Sequence, residues 1–150
     1  MARHPDESAR EHVADLRLDL GARAAGFWWI AGTTLEQVAF VASPTLPKEV
    51  VQGFAEATRS VPLTQTGMGI VRTAVEGTVT VSRTLELPAD SGSGYWLRAF
   101  GAERSVAVPL HDSHGALKAV VSAALPEDPR DDQAVANRML ETARKWGWLV

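Results

Sequence analysis

The sequence contains no cysteine in its 150 residues. This absence excludes thiol nucleophiles, redox-active dithiols, cysteine-ligated zinc and any cofactor attached through a thioether. It also fits a reducing compartment, where disulfides are rare. We therefore expect a cytoplasmic protein whose function does not depend on sulfur chemistry.

Long apolar runs and a strong excess of one charge are also missing. No apolar run reaches the roughly 18 residues that a membrane span requires, and the start of the chain lacks the apolar core of a signal peptide. The formal net charge is -3, and nucleic acids and anionic membranes both repel a negatively charged protein. We therefore expect neither a nucleic-acid partner nor a membrane partner.

The composition that remains is typical of one globular domain. Hydrophobic residues make up 45% of the chain and charged residues 22%, and a chain of this length can bury a sizeable core without a metal or disulfide. No internal repeat or low-complexity linker interrupts the sequence. We expect a single domain over residues 1–150.

The order of apolar patterns predicts an α+β fold. Helical spacing predicts a first helix over about 6–20, which includes the capping-box spacing Ser8 to Glu11, and a last helix over about 131–146. Two hairpins are predicted, one turning at Gly32-Thr33 and one at residues 112–115. Between them the patterns predict helices over about 47–61, 69–76 and 95–100 and a strand over 78–82.

Two hairpins imply an antiparallel central sheet of five to six strands with helices on both faces. With a turn over 112–115, the second hairpin would pair Ser105 with Ser122. Its residues then divide into a uniformly apolar face, which should receive the terminal helices, and a small, partly polar face, which suits a ligand cavity. The second face holds Ser105, Ala107, Pro109, Lys118, Val120 and Ser122.

Three local patterns resemble those of GAF domains. An amphipathic helix ending in Leu20-Gly21 leads into residues 24–30 (AAGFWWI), like the first strand of that family. Residues 69–81 (GIVRTAVEGTVTV) resemble its glycine-containing helix and following strand. Residues 101–110 (GAERSVAVPL) are similar to its Arg-Ser-x-x-x-Val-Pro-Leu hairpin. The resemblance extends over about residues 13–146.

The resemblance implies a cytoplasmic signalling module, of the kind found in bacterial regulators, that binds a small molecule or chromophore and often dimerises. Bilin-binding members attach their pigment through cysteine, and free methionine sulfoxide reductases of this fold use cysteines, so neither subtype matches. The cyclic-nucleotide signature needs an early asparagine, whereas Asn137 is the only asparagine of this chain. We therefore expect no cofactor, and the ligand stays open because a fold does not fix a function.

A pocket is expected between the small sheet face and a cover formed by residues of about 67–75 and 93–100, since GAF domains commonly cover their pocket with short helices after a flexible loop. Trp28 and Trp29 must face opposite sides of their strand, so one should be in the core and the other near a cavity. The candidate pocket residues are Trp28, Trp29, Met68, Ile70, Tyr95, Trp96, Ser105, Ala107 and Ser122.

Catalytic and metal sites find little support. His111 and His114 flank Asp112, a spacing that could hold a metal, but no further ligand accompanies them and a polar turn explains them better. His4 and His12 are expected to face solvent. No serine lies in a nucleophile elbow, and no phosphate-binding loop is present. We expect no enzyme activity, no catalytic residue and no bound metal.

Two functions stay open. The first is a non-catalytic sensory domain that binds an unidentified small molecule and relays binding through its terminal helices to a fused output domain or partner protein. The alternative is a dimerisation or protein-interaction module without a ligand, which a cavity filled by side chains would favour. A homodimer through the terminal helices is expected in either case, because the last helix leads into an aromatic and apolar end formed by Trp146, Trp148, Leu149 and Val150.

Overall fold

The computed structural model describes residues 5–90 and 92–147. Twelve elements follow one another within these residues. They are α1 (Pro5–Leu20), β1 (Ala24–Ala31), β2 (Thr34–Ala42), α2 (Lys48–Ala57), β3 (Ser60–Pro62), α3 (Gly69–Glu76), β4 (Thr80–Arg83), a 3-10 turn (Thr84–Glu86), α4 (Gly92–Phe100), β5 (Arg104–His111), β6 (Leu117–Leu125) and α5 (Asp132–Arg144).

The strands form one antiparallel sheet in the order β3-β2-β1-β6-β5-β4. Strand β1 lies inside the sheet between β2 and β6, which fits its apolar residues on both faces. Helices cover both faces, so the predicted α+β architecture is confirmed. No helix among the residues described here is long and apolar enough to cross a membrane.

Helices α1 and α5 cover one face of the sheet. In α1 the buried residues recur at helical spacing, and in α5 the buried residues include Val135 and Met139. They pack on the uniformly apolar face of the second hairpin, including Val106, Val108 and Val121. The predicted packing of both chain ends on one sheet face is therefore confirmed.

Helices α2, α3 and α4 cover the opposite face. Helix α3 agrees with the predicted bounds at both ends, and Gly77 ends it with a φ of 71°, a left-handed conformation that glycine adopts without strain. It packs directly on β5, β6 and β4, whereas α4 packs mainly against the 3-10 turn and α2. The cover of this face is thus attached to the sheet more firmly at α3 than at α4.

The terminal helices agree with their approximate predicted bounds to within two residues, whereas two other elements differ from the prediction. Val61 does not extend the second helix, because it pairs with Leu35 in the short strand β3. Helix α4 begins at Gly92, within the segment that was predicted to be a loop.

Candidate functional site

The centre of the sheet face under α3 and α4 consists of small residues. The strand register places them in two adjacent rows across β4, β5, β6 and β1. Alanine, serine and glycine side chains are too short to fill the space between a sheet and its covering helices. The rows are Ser82, Ser105, Ala124 and Ala24, and Thr80, Ala107, Ser122 and Gly26.

The register itself differs from the predicted one. Ser105 pairs with Ala124 and Ala107 with Ser122, and an irregularity lies between Leu110 and His111 where the turn begins. Relative to the predicted Ser105–Ser122 pair, the strands are displaced by two residues. Because side chains alternate with a period of two, this displacement leaves the predicted faces intact.

A cavity of about 40 Å³ lies above the small-residue rows. Its floor belongs to β5 and β6, its cover to the start of α3 and the inner side of α4, and its side wall to α2. Its lining residues are Phe54, Met68, Gly69, Ile70, Ser93, Trp96, Leu97, Phe100, Ser105, Ser122 and Ala124.

Five of the nine candidate pocket residues line this cavity. They are Met68, Ile70, Trp96, Ser105 and Ser122. Trp28 lies on the same side of the sheet and borders a neighbouring cavity of about 30 Å³. Ala107 belongs to the same core but is covered by α3, whose Thr73 hydroxyl donates to the Ala107 carbonyl at 3.3 Å.

Trp29 and Tyr95 are not brought to the cavity. Trp29 lies on the terminal-helix face, where it meets Phe27 edge to face with 6.1 Å between ring centroids. The two neighbouring tryptophans lie on opposite faces of the strand, as expected. The expectation that one would be in the core and the other near a cavity was wrong, because Trp28 is both buried and on the cavity side. Tyr95 is 49% exposed on the outer side of α4. Neither residue lines the cavity.

Trp96 packs against α2 and not against the terminal helices. Its ring meets Phe54 edge to face at 5.3 Å, and it lies so close to Gly53 that a Cβ there would be 3.3 Å from the indole. One side of the ring therefore lines the cavity while the other is held by α2.

Sequence reasoning missed Phe54, Ser93, Leu97, Phe100 and Ala124. Ser93 had been placed in a loop, but it fastens α4 to the segment before α3. The Gly69 amide donates to Ser93 Oγ at 3.0 Å, and the Ser93 amide donates to the Gly67 carbonyl at 3.2 Å. The glycine on each side of Ser93 was the available signal, because glycines mark places where backbones approach closely.

Gly94 shows how closely that backbone approaches. A Cβ at Gly94 would stand 1.9 Å from the Pro88 carbonyl oxygen, which no rearrangement of a side chain can relieve. The first turn of α4 is therefore held against residues 87–88 by close backbone contact and against residues 67–69 by the two bonds of Ser93.

Arg104 precedes the cavity-floor residue Ser105 on β5, and its buried side chain lies on the opposite face of the sheet. The Arg104 side chain is 2% exposed and forms ion pairs with Asp128, at 3.1 Å, and with Asp132 of the first turn of α5. It also donates to the Arg130 carbonyl at 3.0 Å. The Arg130 guanidinium in turn donates to the Leu20 carbonyl of α1 at 2.6 Å. The cluster thus connects β5 with both terminal helices.

The pKa of Asp128 is lowered to about 2, chiefly by the hydrogen bond from the Arg130 side chain. Desolvation opposes this effect, whereas the Arg130 amide and the charges of Arg130 and Arg104 lower the pKa further. Because the folded-state pKa lies below the ordinary value of 3.8, this carboxylate stabilises the fold above about pH 4, and the contribution is lost as the pH falls through about 2.

We expect the free energy of unfolding to decrease between pH 4 and pH 2, and Asp128→Asn to reduce that decrease by on the order of 1 kcal/mol. Urea unfolding measured across this pH range tests it. The exposed neighbour Glu127 supplies the control variant, Glu127→Gln. An equal pH slope in wild type and Asp128→Asn would contradict the assignment.

The acidic residue between His111 and His114 shapes the second hairpin turn. Asp112 Oδ1 accepts hydrogen bonds from the His114 amide at 2.9 Å and the Ala116 amide at 3.0 Å, so the carboxylate shapes the hairpin turn. Among residues 5–90 and 92–147, no group of three or more His, Asp or Glu residues could hold a metal ion. His12 was wrongly expected to face solvent, because its ring is half-buried and stacks on Trp146 at 5.5 Å. His4 and residues 148–150 lie outside the described residues.

No family model matches the sequence, and no curated protein matches it either. Solved structures do match. A protein described as a GAF sensor from Burkholderia vietnamiensis superimposes with a TM-score of 0.68 at 19% identity, over 97% of this chain and 81% of that one. The chain has the GAF fold.

Two further structures show how widely this fold is used. The second GAF domain of DevS from Mycobacterium smegmatis matches with a TM-score of 0.60 at 16% identity, over 95% of this chain and 93% of that one. A free methionine-R-sulfoxide reductase from Neisseria meningitidis matches with a TM-score of 0.63 at 17% identity, over 95% and 75% of the two chains. At such identities the likeness establishes the GAF fold alone.

Proposed function

We propose that this chain is a non-catalytic sensory domain that binds a small molecule in the cavity between β5, β6 and α4. The observation that carries the proposal is the small-residue centre of the sheet face, covered by a helix that makes its main contacts away from the sheet. A face built of Ser105, Ser122 and Ala124 forgoes the packing that larger side chains would give. A ligand supplies the missing contacts.

Binding requires α4 to move outward. The cavity of about 40 Å³ is far smaller than the few hundred Å³ of ordinary ligand sites. Two bonds at Ser93 fasten the start of α4 to residues 67–69, and Arg98 connects the helix to backbone carbonyls of residues 84–88. Short helices with few contacts to the core are the elements that open most readily. The ligand therefore enters by releasing Ser93 from residues 67–69.

The relay runs from the cavity floor to the terminal helices. Ser105 faces the cavity, and the adjacent Arg104 holds Asp132 of α5 on the opposite side of the sheet. A change in the position of β5 therefore changes the ion pair that fixes α5. Helices α1 and α5 are themselves joined by Arg138, which donates to both Asp19 oxygens at 2.6 Å. We propose that a cytoplasmic homodimer through these helices, or a fused output domain, receives the signal.

The alternative function is a dimerisation or protein-interaction module without a ligand. The small volume of the cavity favours it, because Trp96, Phe54 and Phe100 already fill most of the space. In that case α4 is a fixed part of the core. The likeness to a methionine sulfoxide reductase supports no third function, because this chain has no cysteine and the likeness extends to the fold alone.

Trp96→Ala separates the two functions. We expect it to weaken binding of a co-purified or screened metabolite by about 1–3 kcal/mol, because the indole supplies apolar contact to the ligand. Native mass spectrometry of freshly purified protein would find the molecule, and titration followed by tryptophan fluorescence would measure its affinity. Trp29→Ala is the matched control, since Trp29 is a half-buried tryptophan on the terminal-helix face, away from the cavity.

The interaction module predicts a different pattern. Trp96→Ala would then lower stability without changing any ligand response, and wild-type protein would carry no small molecule. Sedimentation of the wild-type protein tests the dimer separately. A monomer at tens of micromolar would contradict the proposed dimerisation but not the cavity.

A further inference from the structure

The lining of the cavity contains no charged side chain. Its polar groups are the hydroxyls of Ser93, Ser105 and Ser122, and the remainder is aromatic, aliphatic or glycine. Within the described residues, neither Ser105 nor Ser122 uses its hydroxyl in a hydrogen bond to the protein. Two hydroxyls on an apolar floor are therefore available to a ligand.

The positively charged side chains on the elements around the cavity bond to groups outside it or face solvent. The Arg98 guanidinium of α4 donates to four backbone carbonyls of the loop and first turn beside it, at 2.9–3.4 Å. Arg104 of β5 is paired with Asp128 and Asp132 on the other side of the sheet. Arg72 of α3 and Lys118 of β6 are exposed. None of these four side chains lines the cavity.

Negative charge is absent from the cavity wall in the same way. The acidic residues of the covering helices, Glu49 and Glu56 of α2 and Glu76 of α3, are exposed. An ion moved from water into an apolar site without a partner loses most of its hydration energy. The cavity therefore disfavours anions and cations alike.

We propose that the cavity selects a small uncharged molecule of one ring or less, with an apolar body and a hydroxyl or carbonyl group that bonds to Ser105 and Ser122. This proposal rests on the sensory function proposed above and names its ligand class. The two serines are diagonal neighbours on one face of the β5–β6 ladder, because Ser105 pairs with Ala124 and Ser122 with Ala107. Diagonal neighbours of this kind lie about 7 Å apart, so a polar group placed between the two serines can bond to either hydroxyl.

The limit on size follows from the cover. Phe54, Trp96 and Phe100 contact one another with ring centroids 5.1–6.4 Å apart. A single ring is accommodated when the start of α4 moves, whereas a larger ligand would have to separate these three rings. The aromatic wall therefore sets an upper bound near one ring.

Phenol, toluene and benzoate test the ligand class on the full-length protein at pH 7. Phenol is uncharged because phenolic hydroxyls have a pKa of about 10, whereas benzoate, with a carboxyl pKa of about 4, is an anion. We expect phenol to shift the NMR resonances of the Trp96 indole N–H and of the Ser105 and Ser122 amides. Benzoate should bind there at least about tenfold more weakly.

Serine variants test the polar contact. Ser105→Ala combined with Ser122→Ala should weaken phenol binding by about threefold to tenfold and leave toluene binding unchanged, because toluene has no polar group. Ser113→Ala is the matched control, since Ser113 is exposed in the β5–β6 turn. Equal losses for phenol and toluene would overturn the role of the two hydroxyls.

The remaining outcomes distinguish the ligand class from the sensory function. Benzoate binding at these residues as tightly as phenol overturns the class and leaves the sensory function standing. The same holds if a charged co-purified metabolite shifts Trp96 while the neutral probes do not. If neither the three probes nor any co-purified molecule shifts these resonances, both proposals fail. The wild-type titrations decide these outcomes without any variant that has to fold.

Discussion

Trp28→Ala is expected to lower the free energy of unfolding by about 4 kcal/mol, the middle of the range for removing a buried tryptophan. Trp28 is 1% exposed, and its indole Nε1 donates to the Thr58 carbonyl at 2.8 Å. The ring covers Gly26 so closely that a Cβ there would be 2.3 Å from it. Its loss leaves a void on the sheet and an unpaired buried carbonyl.

Urea unfolding of Trp28→Ala and Trp28→Phe measures this effect. The phenylalanine variant keeps an aromatic ring but loses the Nε1 donor, so its loss of stability should be smaller. Trp29→Ala is the matched control, because Trp29 is the next residue of the same strand but is only half-buried. A loss of less than about 1 kcal/mol for Trp28→Ala would contradict its place at the centre of this core.

Arg104→Met is expected to lower the free energy of unfolding by about 3 kcal/mol. Methionine retains most of the apolar stem but leaves the Asp128 and Asp132 carboxylates without the guanidinium between them. The value lies at the low end for a broken buried ion pair, because the Asp128 and Asp132 side chains stay 16% and 30% exposed.

A double-mutant cycle with Asp132→Asn isolates the Arg104–Asp132 pair. The two substitutions should be non-additive, because each removes the same interaction. Arg72→Met on the exposed side of α3 is the control and should change stability by less than about 0.5 kcal/mol. Additive losses would show that Arg104 acts through packing alone.

The parts of the fold that depend on local sequence could be predicted. Both ends of helix α3 were predicted correctly, because an apolar stripe runs up to Gly77, whose positive φ ends the helix. The two faces of β5 and β6 were also correct, since alternation depends only on neighbours along one strand. Those faces were enough to place Ser105 and Ser122 on the cavity side.

The parts that depend on contacts between distant segments could not be predicted. The register of β5 and β6 depends on how the chain leaves the ladder at His111 and Leu117. The start of α4 depends on Ser93 meeting Gly67 and Gly69, which lie more than twenty residues earlier. Such contacts leave no periodic pattern in the sequence, and Ser93 and Phe54 were therefore absent from the predicted site.

The two outer strands of the sheet have a consequence for self-association. Strand β3 has three residues and ends in Pro62, which has no amide hydrogen to donate, and β4 has four residues. Edges this short offer an incoming strand very few backbone groups to pair with. Sheet extension from one molecule to the next is therefore disfavoured at both ends, which protects a sheet of this width from growth into fibrils.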